Sequence, residues 1–526
     1  MFGRPEGTVE KERVISMTTS QICMLITIVV YMGGMIWIGF LYSSKNETAG
    51  DFYLGGRKLG PFVTAMSAEA SDMSSWLLMG LPGVAYFSGI SDAAWTAIGL
   101  AIGTYVNWLI VARRLRRYSE HIGAITIPDF FARRFRDKSH FLVGISAVVI
   151  IIFFIPYTAS GFAACGKLFG TIFDMPYLTA MIIGAVVIAI YTTLGGFLAA
   201  STTDFIQSIV MSIALIVVVF FGIHTVGSWD KVGEIAAQVP GYLDMHQTTN
   251  VITGEAAPYT PLTIASVLAW GLGYFGMPHI LLRFMAIRHE KEVKLSRRIA
   301  SVWVVIAMGV AVLIGVIGYA MSQVGALPVF ESKSAAEAVV VTIADFLSEH
   351  GVLAALLAGL ILSGILASTM STADSQLLAA SSSVSENIVK DVFGVKLSDK
   401  ATIRIARTTV VLISVVGVFL ARDPNSSVFD IVSFAWAGFG AAFGPVMLFA
   451  LFWKRTNAWG ALSGMVVGGA MVFIWKYLIA PKGGVLGIYE LLPAFLAACV
   501  AIVVVSLLTP APEKEIMEEF EAVRKG

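Results

Sequence analysis

The sequence predicts an all-α integral membrane protein of about thirteen spanning helices. Three observations carry this expectation. Of 526 residues, 57% are hydrophobic and only 13% charged. The mean hydropathy is +0.81. The apolar residues gather in runs of about 20, the length that crosses ~30 Å of hydrocarbon. Such a composition excludes soluble globular, disordered and fibrous classes. The formal charge of +1 gives no sign of a nucleic-acid partner. Cys23, Cys165 and Cys499 lie in apolar runs without pairing spacing and read as packing residues, with no disulfide expected.

The runs fall near 21–43, 61–88, 92–112, 140–168, 176–195, 202–227, 260–282, 299–321, 351–384, 404–422, 428–453, 457–480 and 486–508. The first follows "RPEGTVEKERVISM" without a small-residue cleavage site, so it reads as a spanning helix and not as a signal peptide. The longest segment between runs, 229–259, reads as a polar loop with Pro240, Gly241 and Gly254. The chain therefore reads as a single polytopic domain over 1–526, with 1–20 outside, 21–508 in the membrane and 509–526 a cytoplasmic tail. Loop charges set this orientation. Segment 113–138 carries eight cations (Arg113, Arg114, Arg116, Arg117, Arg133, Arg134, Arg136, Lys138) and 283–298 carries six (Arg283, Arg288, Lys291, Lys294, Arg297, Arg298). Segments 229–259 and 323–350 hold only Lys231 and Lys333.

The second and seventh runs are poor material for continuous helices. Run 61–88 contains Ser67, Ser71, Ser74, Ser75, Gly80, Pro82 and Gly83, and "AWGLGYFGMPHILLRF" places Gly271, Gly273, Gly276 and Pro278 in mid-span. Paired interrupted helices expose backbone carbonyls and half-helix ends that coordinate ions and solutes. Their spacing of five fits an inverted five-helix repeat, helices 2–6 and 7–11, with one extra N-terminal and two extra C-terminal helices. Close packing between helices also uses small residues, and that alternative stays open.

Intramembrane acids mark the same regions. In "SAEASDMSSWLLMG", Glu69 and Asp72 each cost about 2.5–3.5 kcal/mol at mid-membrane on insertion scales, so they need partners, water, protons or ions. Asp204, in "GGFLAASTTDFIQS", reads either as an ion relay or as a water-reachable acid at a helix start. Asp374 lies deeper, in "LLAGLILSGILASTMSTADSQLLAASSSVSEN". There Ser368, Ser371, Thr372 and Ser375 fall at i, i+3, i+4 and i+7, placing four hydroxyls on one helix face. A small hard cation wants such oxygens, although membrane hydroxyls also bond their own i−4 carbonyls.

Catalysis has little support. The seven histidines are scattered, and no nucleophile motif or phosphate loop has a suitable context. The G-x-G-x-x-G pattern Gly271–Gly276 lies inside a spanning run with no strand before it, so dinucleotide binding is rejected. Neither an enzyme nor an organic cofactor is expected.

The strings "FYLGGRKLGPFVTAMSAEASDMSSWLLMGLPG", "YTTLGGFLAASTTDFIQS", "WGLGYFGMPHILLRFMA" and "SFAWAGFGAAFGPVMLFALFWKR" resemble the bacterial sodium/solute symporter family, and within it the branch that carries proline. The resemblance runs from about Asp51 to Leu508. It implies a sodium site of backbone and hydroxyl oxygens on Ala70, Met73, Ser368, Ser371 and Thr372, with Ser371 and Thr372 supplying the hydroxyls. It implies roles in coupling for Asp72, Arg57 and Asp204, and solute contacts at Ser74, Tyr157, Trp270, Tyr274 and Pro278. The expected activity is sodium-driven import of L-proline by alternating access across the bacterial inner membrane, with the lipid bilayer as its surroundings. The alternatives are a sodium- or proton-coupled carrier of another small neutral amino acid or carboxylate, and, more remotely, a transporter-like nutrient sensor. Some positions depart from the proline branch, which has Gly at 69 and 75, Ser at 374 and Ala at 368. The extra acids raise a second cation site around Ser371, Asp374, Ser375 and Asp204, protonation of Glu69 or Asp374, or a Glu69–Asp374 hydrogen bond.

Overall fold

A computed structural model describes residues 17–43 and 48–525. The expected outer segment before Met17, the 44–47 stretch and Gly526 lie outside the described residues. Among these residues, ten helices are long and apolar enough to cross a membrane, and the pair Pro261–Phe275 and Pro278–Ala286, bent by 46°, forms a candidate eleventh span. The other two expected runs are helical but broken or short. Run 61–88 divides into Pro61–Asp72, a widened turn Trp76–Gly80 and Leu81–Ser88. Run 176–195 is the first part of Tyr177–Val226, a helix that kinks where Gly196 takes φ 67° and ψ −176°.

Several expected loops are folded. The 229–259 segment, expected as a polar loop, contains a helix Trp229–Ala237 and an antiparallel hairpin that pairs Gln247–Thr249 with Ala256–Pro258. The basic 113–138 segment is largely two short helices, Ala112–His121 and Ile127–Arg134, in which Arg116 and Arg134 are buried. One orientation cation was misplaced by the sequence reading. Arg283 is not a loop residue: Pro278 restarts a helix at N1, a position where its missing N–H costs nothing, and Arg283 follows on that helix with 1% exposure.

The centre of the bundle is the Val428–Phe452 helix, which is mostly buried, whereas the peripheral Ala458–Lys482 span is mostly open to its surroundings. Ser427 caps its start by accepting from the Asp430 N–H. Buried Glu337 accepts from the N–H groups of Val428 and Phe429 at 3.0 Å each and from Lys167 Nζ at 2.6 Å. The long Val352–Ser382 helix packs on Tyr177–Val226 and on Thr19–Ser43. A C-terminal amphipathic helix, Lys514–Lys525, buries Ile516, Phe520 and Val523. It lies on the basic segment, with Lys138 Nζ 3.4 Å from Glu513 and the Arg117 guanidinium 2.9 Å from the Val523 carbonyl.

Close approach is obtained by omitting side chains. A Cβ at Gly103 would stand 2.3 Å from the Gly271 carbonyl oxygen, and one at Gly271 would stand 2.3 Å from that of Gly99. The Ile90–Val106 helix therefore presses directly on the backbone of the bent span. Gly103→Ala is expected to destabilise the protein by about 3 kcal/mol, since overpacking against backbone cannot relax by a rotamer change. Gly33→Ala, where a Cβ meets nothing within 4 Å, serves as the control. Thermal unfolding of the two purified variants tests this: the Gly103 midpoint should fall and the Gly33 midpoint should stay near that of the parent.

Candidate functional site

The break after Asp72 is held by a neighbouring helix. Ser74 adopts φ 25°, a left-handed backbone rare for a residue with a Cβ. Its N–H donates to Thr372 Oγ1 at 3.0 Å, and its own hydroxyl accepts from the Trp76 N–H at 3.1 Å. Ser371 Oγ, on the same face as Thr372, donates to the Ala70 carbonyl at 2.7 Å and lies 3.2 Å from the Ser368 carbonyl. Oxygens of Ala70, Ser368, Ser371 and Thr372 thus meet at one seam. The Met73 carbonyl also accepts from the Leu77 N–H at 3.0 Å. Two hydrogens bridge the helices here, that of the Ser371 hydroxyl and that of the Ser74 N–H.

Beside the seam lies a narrow cavity of about 10 Å³, room for about one water molecule, lined by Asp72, Met73, Trp76, Leu100, Tyr157, Trp270, Met308, Val432 and Trp436. Asp72 accepts a short hydrogen bond from the Tyr274 hydroxyl, and its carbonyl lies 3.3 Å from the Tyr157 hydroxyl. The Trp270 ring is packed against Trp76 at 5.5 Å, Phe429 at 5.4 Å and Tyr489 at 5.2 Å. Ser74, Tyr274 and Pro278 are not among the lining residues, and Tyr274 reaches the cavity only through its hydrogen bond to Asp72. Ser74 spends both polar groups on the break, and Pro278 starts the helix beyond it.

The bent span supplies the opposite half of the site. Its carbonyls, freed by the tight turn Ala269–Phe275, are taken up by neighbouring side chains: Trp436 Nε1 reaches the Trp270 oxygen at 2.7 Å and Asn107 Nδ2 reaches the Tyr274 oxygen at 3.0 Å. Gly271, Gly273 and Gly276 all keep negative φ. They serve close approach, while the positive φ at the first break falls on Ser74.

The remaining acids separate into two places. Glu69 Oε1 accepts from Trp108 Nε1 at 3.0 Å, so the expected alternative of a Glu69–Asp374 bond is not present. Asp374 Oδ1 instead accepts from Ser375 Oγ at 3.0 Å. Asp204 is fully buried and paired with Arg283 at 3.0 Å, which removes the reading of a water-reachable helix-start acid. Arg283 also donates to Ser67 at 3.0 Å, to Ser375 at 2.6 Å and to the His279 carbonyl at 2.9 Å. Glu69 Oε2, Asp204 Oδ1 and Asp374 Oδ2 have no hydrogen-bond partner among the described residues. Arg57 lies elsewhere, donating to Ser119, Met285 and Ala124.

The four hydroxyls on one face therefore do not serve one centre. Ser371 and Thr372 face the break, Ser375 faces Arg283, and Ser368 donates back to Ile365 at 2.8 Å. The sequence reading missed Arg283 as a partner of the acids, and missed Trp108 and Trp436. The signal for Trp436 was available: Phe429, Val432 and Trp436 recur at i, i+3 and i+7, one helix face.

Two interrupted membrane helices, with unwound backbone, hydroxyl oxygens and an aromatic cavity at their crossing, define the architecture of a secondary transporter. Comparison with known proteins narrows the class. The model of the sodium:solute symporter family matches residues 52–468. The osmoregulated proline transporter OpuE of Bacillus subtilis is 42% identical over 504 residues, covering 95% of this chain and 98% of that protein. The sodium/proline symporter of Escherichia coli is 42% identical over 499 residues, covering 94% and 95%. The structure of a Na+-coupled sialic acid symporter, in a substrate-bound outward-open state, aligns with a TM-score of 0.75 at 17% identity, covering 94% of this chain and 99% of that one. The chain belongs to the sodium:solute symporter family.

The buried Arg283–Asp204 pair yields a test. Arg283→Met alone is expected to cost about 3–5 kcal/mol, because it leaves Asp204 buried without its cation. Adding Asp204→Asn to that variant should recover most of the loss. Unfolding midpoints of the two single variants and the double variant measure the coupling, and additive effects would show that the pair carries none.

Proposed function

We propose that the chain imports L-proline together with sodium by alternating access. One observation carries the reading: the residues flanking Met73 meet the hydroxyls of Ser371 and Thr372, while Asp72 and Met73 line the aromatic cavity. Sodium drawn in by the carbonyls of Ala70, Met73 and Ser368 and the hydroxyls of Ser371 and Thr372 would hold the two helices together. That would fix one wall of the cavity, so ion binding raises solute affinity and, by linkage, solute raises ion affinity. The family and the proline carriers among the relatives support this choice of ion and solute.

In this reading the pyrrolidine ring packs on Trp270 and Tyr157, while the carboxylate meets N–H groups at the break or the sodium ion. Tyr274 positions Asp72 through its hydroxyl, and Ser74 and Pro278 shape the two breaks. Asp204 is neutralised by Arg283. Asp374 has no bonded cation partner among the described residues, so with Ser375 it forms the place for a second cation. Arg57 would act by tying the cytoplasmic ends of three segments together.

The same proposal takes the chain as one transport unit of two inverted five-helix halves broken at corresponding helices, in the bacterial inner membrane. The N-terminus is outside and the tail cytoplasmic. Contacts between the tail helix and the basic segments favour that orientation.

Labelled-proline uptake into proteoliposomes under separate sodium and proton gradients tests the coupling. Uptake indifferent to sodium would remove it. Ser371→Ala or Thr372→Ala is expected to raise the sodium requirement about tenfold, the effect of one lost ligand to a charged group, with a smaller effect on proline. Trp270→Ala should chiefly raise the proline KM. Asp374→Asn should change the sodium dependence at fixed proline, and an unchanged curve would leave Asp374 a structural role.

A further inference from the structure

Trp436 is bound on several sides. Its indole N–H holds the Trp270 carbonyl at 2.7 Å. Its ring meets Tyr274 edge-on at 5.1 Å and 87°, and lies nearly parallel to Trp270 at 6.3 Å and 29°. Behind it the backbone leaves no slack, since a Cβ on Gly273 would stand 2.0 Å from Nε1. The residue is 2% exposed, and what remains open of it lines the cavity.

The rest of the lining is mixed, with the rings of Trp76, Tyr157 and Trp270, the smaller Asp72 and Val432, and a softer side. Met73, Leu100 and Met308 are unbranched or aliphatic side chains, and methionines adapt to the shape placed against them. Trp436 cannot retreat without breaking its hydrogen bond and colliding with Gly273. A solute that grows by one methylene can therefore displace the methionine side of the cavity, but not this wall.

We propose that Trp436 is a specificity-determining residue, the rigid wall against which the carrier measures the ring of its solute. It admits a five-membered cyclic imino acid and disfavours the six-membered homologue. This rests on the reading of the chain as a proline carrier. The carbonyl held by the indole belongs to Trp270, which lines the same cavity, so the two tryptophans keep a fixed spacing. The selectivity is a property of that spacing and not of a polar contact to the solute.

The experiment uses the full chain in proteoliposomes under an inward sodium gradient, with proline and piperidine-2-carboxylate as the two solutes. In the parent protein the ratio of their KM values is expected to be about ten or more, the usual discrimination for one methylene in an apolar pocket. Trp436→Phe removes the hydrogen bond and shortens the wall. It should bring the ratio to within about threefold, chiefly by lowering the KM of the six-membered solute. Trp436→His keeps a ring N–H but reduces the volume, and serves as the second variant should the first fail to insert. It should relax the ratio as well. KM values that rise in parallel for both solutes, or a ratio unchanged in either variant that inserts, would overturn the role of Trp436 alone. Absence of sodium-driven proline uptake in the parent protein would overturn the proline reading, and this proposal with it.

Discussion

The seam between the Pro61–Asp72 break and the Val352–Ser382 helix is the interaction on which the site depends. Ser371 donates across it to Ala70, and Thr372 accepts across it from Ser74. In a bilayer, a backbone that leaves the helical path loses its internal hydrogen bonds, and no solvent replaces them. The break exists because a second helix presents hydroxyls at the right height. The same hydroxyls are oxygen donors of the kind a sodium ion takes, so the contact that permits the break also supplies the proposed ion site.

The buried charges follow one rule and reach different solutions. Asp204 is neutralised by Arg283 within hydrogen-bond distance, and Arg283 also reaches Ser67 and Ser375. That network joins the first broken helix, the bent span, the kinked Tyr177–Val226 helix and the hydroxyl helix. Asp72 is held by a phenol and Glu69 by an indole, neutral donors that orient a carboxyl without cancelling its charge. The difference separates a paired charge from carboxyls held by neutral donors alone.

The aromatic residues do a second job. Trp270, Trp76 and Trp436 line the cavity with rings that have few rotamers, and Phe429 and Tyr489 pack against them. Their positions are set by glycines on the facing backbone, as Gly273 shows against Trp436. Glycine-rich text in the bent span is thus explained by close approach more than by freedom of φ. Both open readings of "AWGLGYFG" hold in part: the segment is interrupted, and its small residues also pack.

Much of the architecture was legible in the sequence, because hydrocarbon imposes a length and an apolar composition that composition alone reveals. The spanning runs, the two interrupted segments, and the placement of Ala70, Ser371 and Thr372 beside one another could all be anticipated, the last through a family resemblance. What depended on tertiary structure was which polar groups meet. Arg283 reads in sequence as one more cation at a loop edge, yet it is the buried partner of Asp204. Glu69 and Asp374 read as a possible pair, yet each bonds its own neighbour. Trp436 drew no expectation from the sequence, yet its indole holds the Trp270 carbonyl and its ring lines the cavity. Periodicity tells which residues leave the lipid, because every helix obeys the same 3.6-residue geometry. It cannot tell what they turn toward, because that is set by the crossing of helices far apart in the chain.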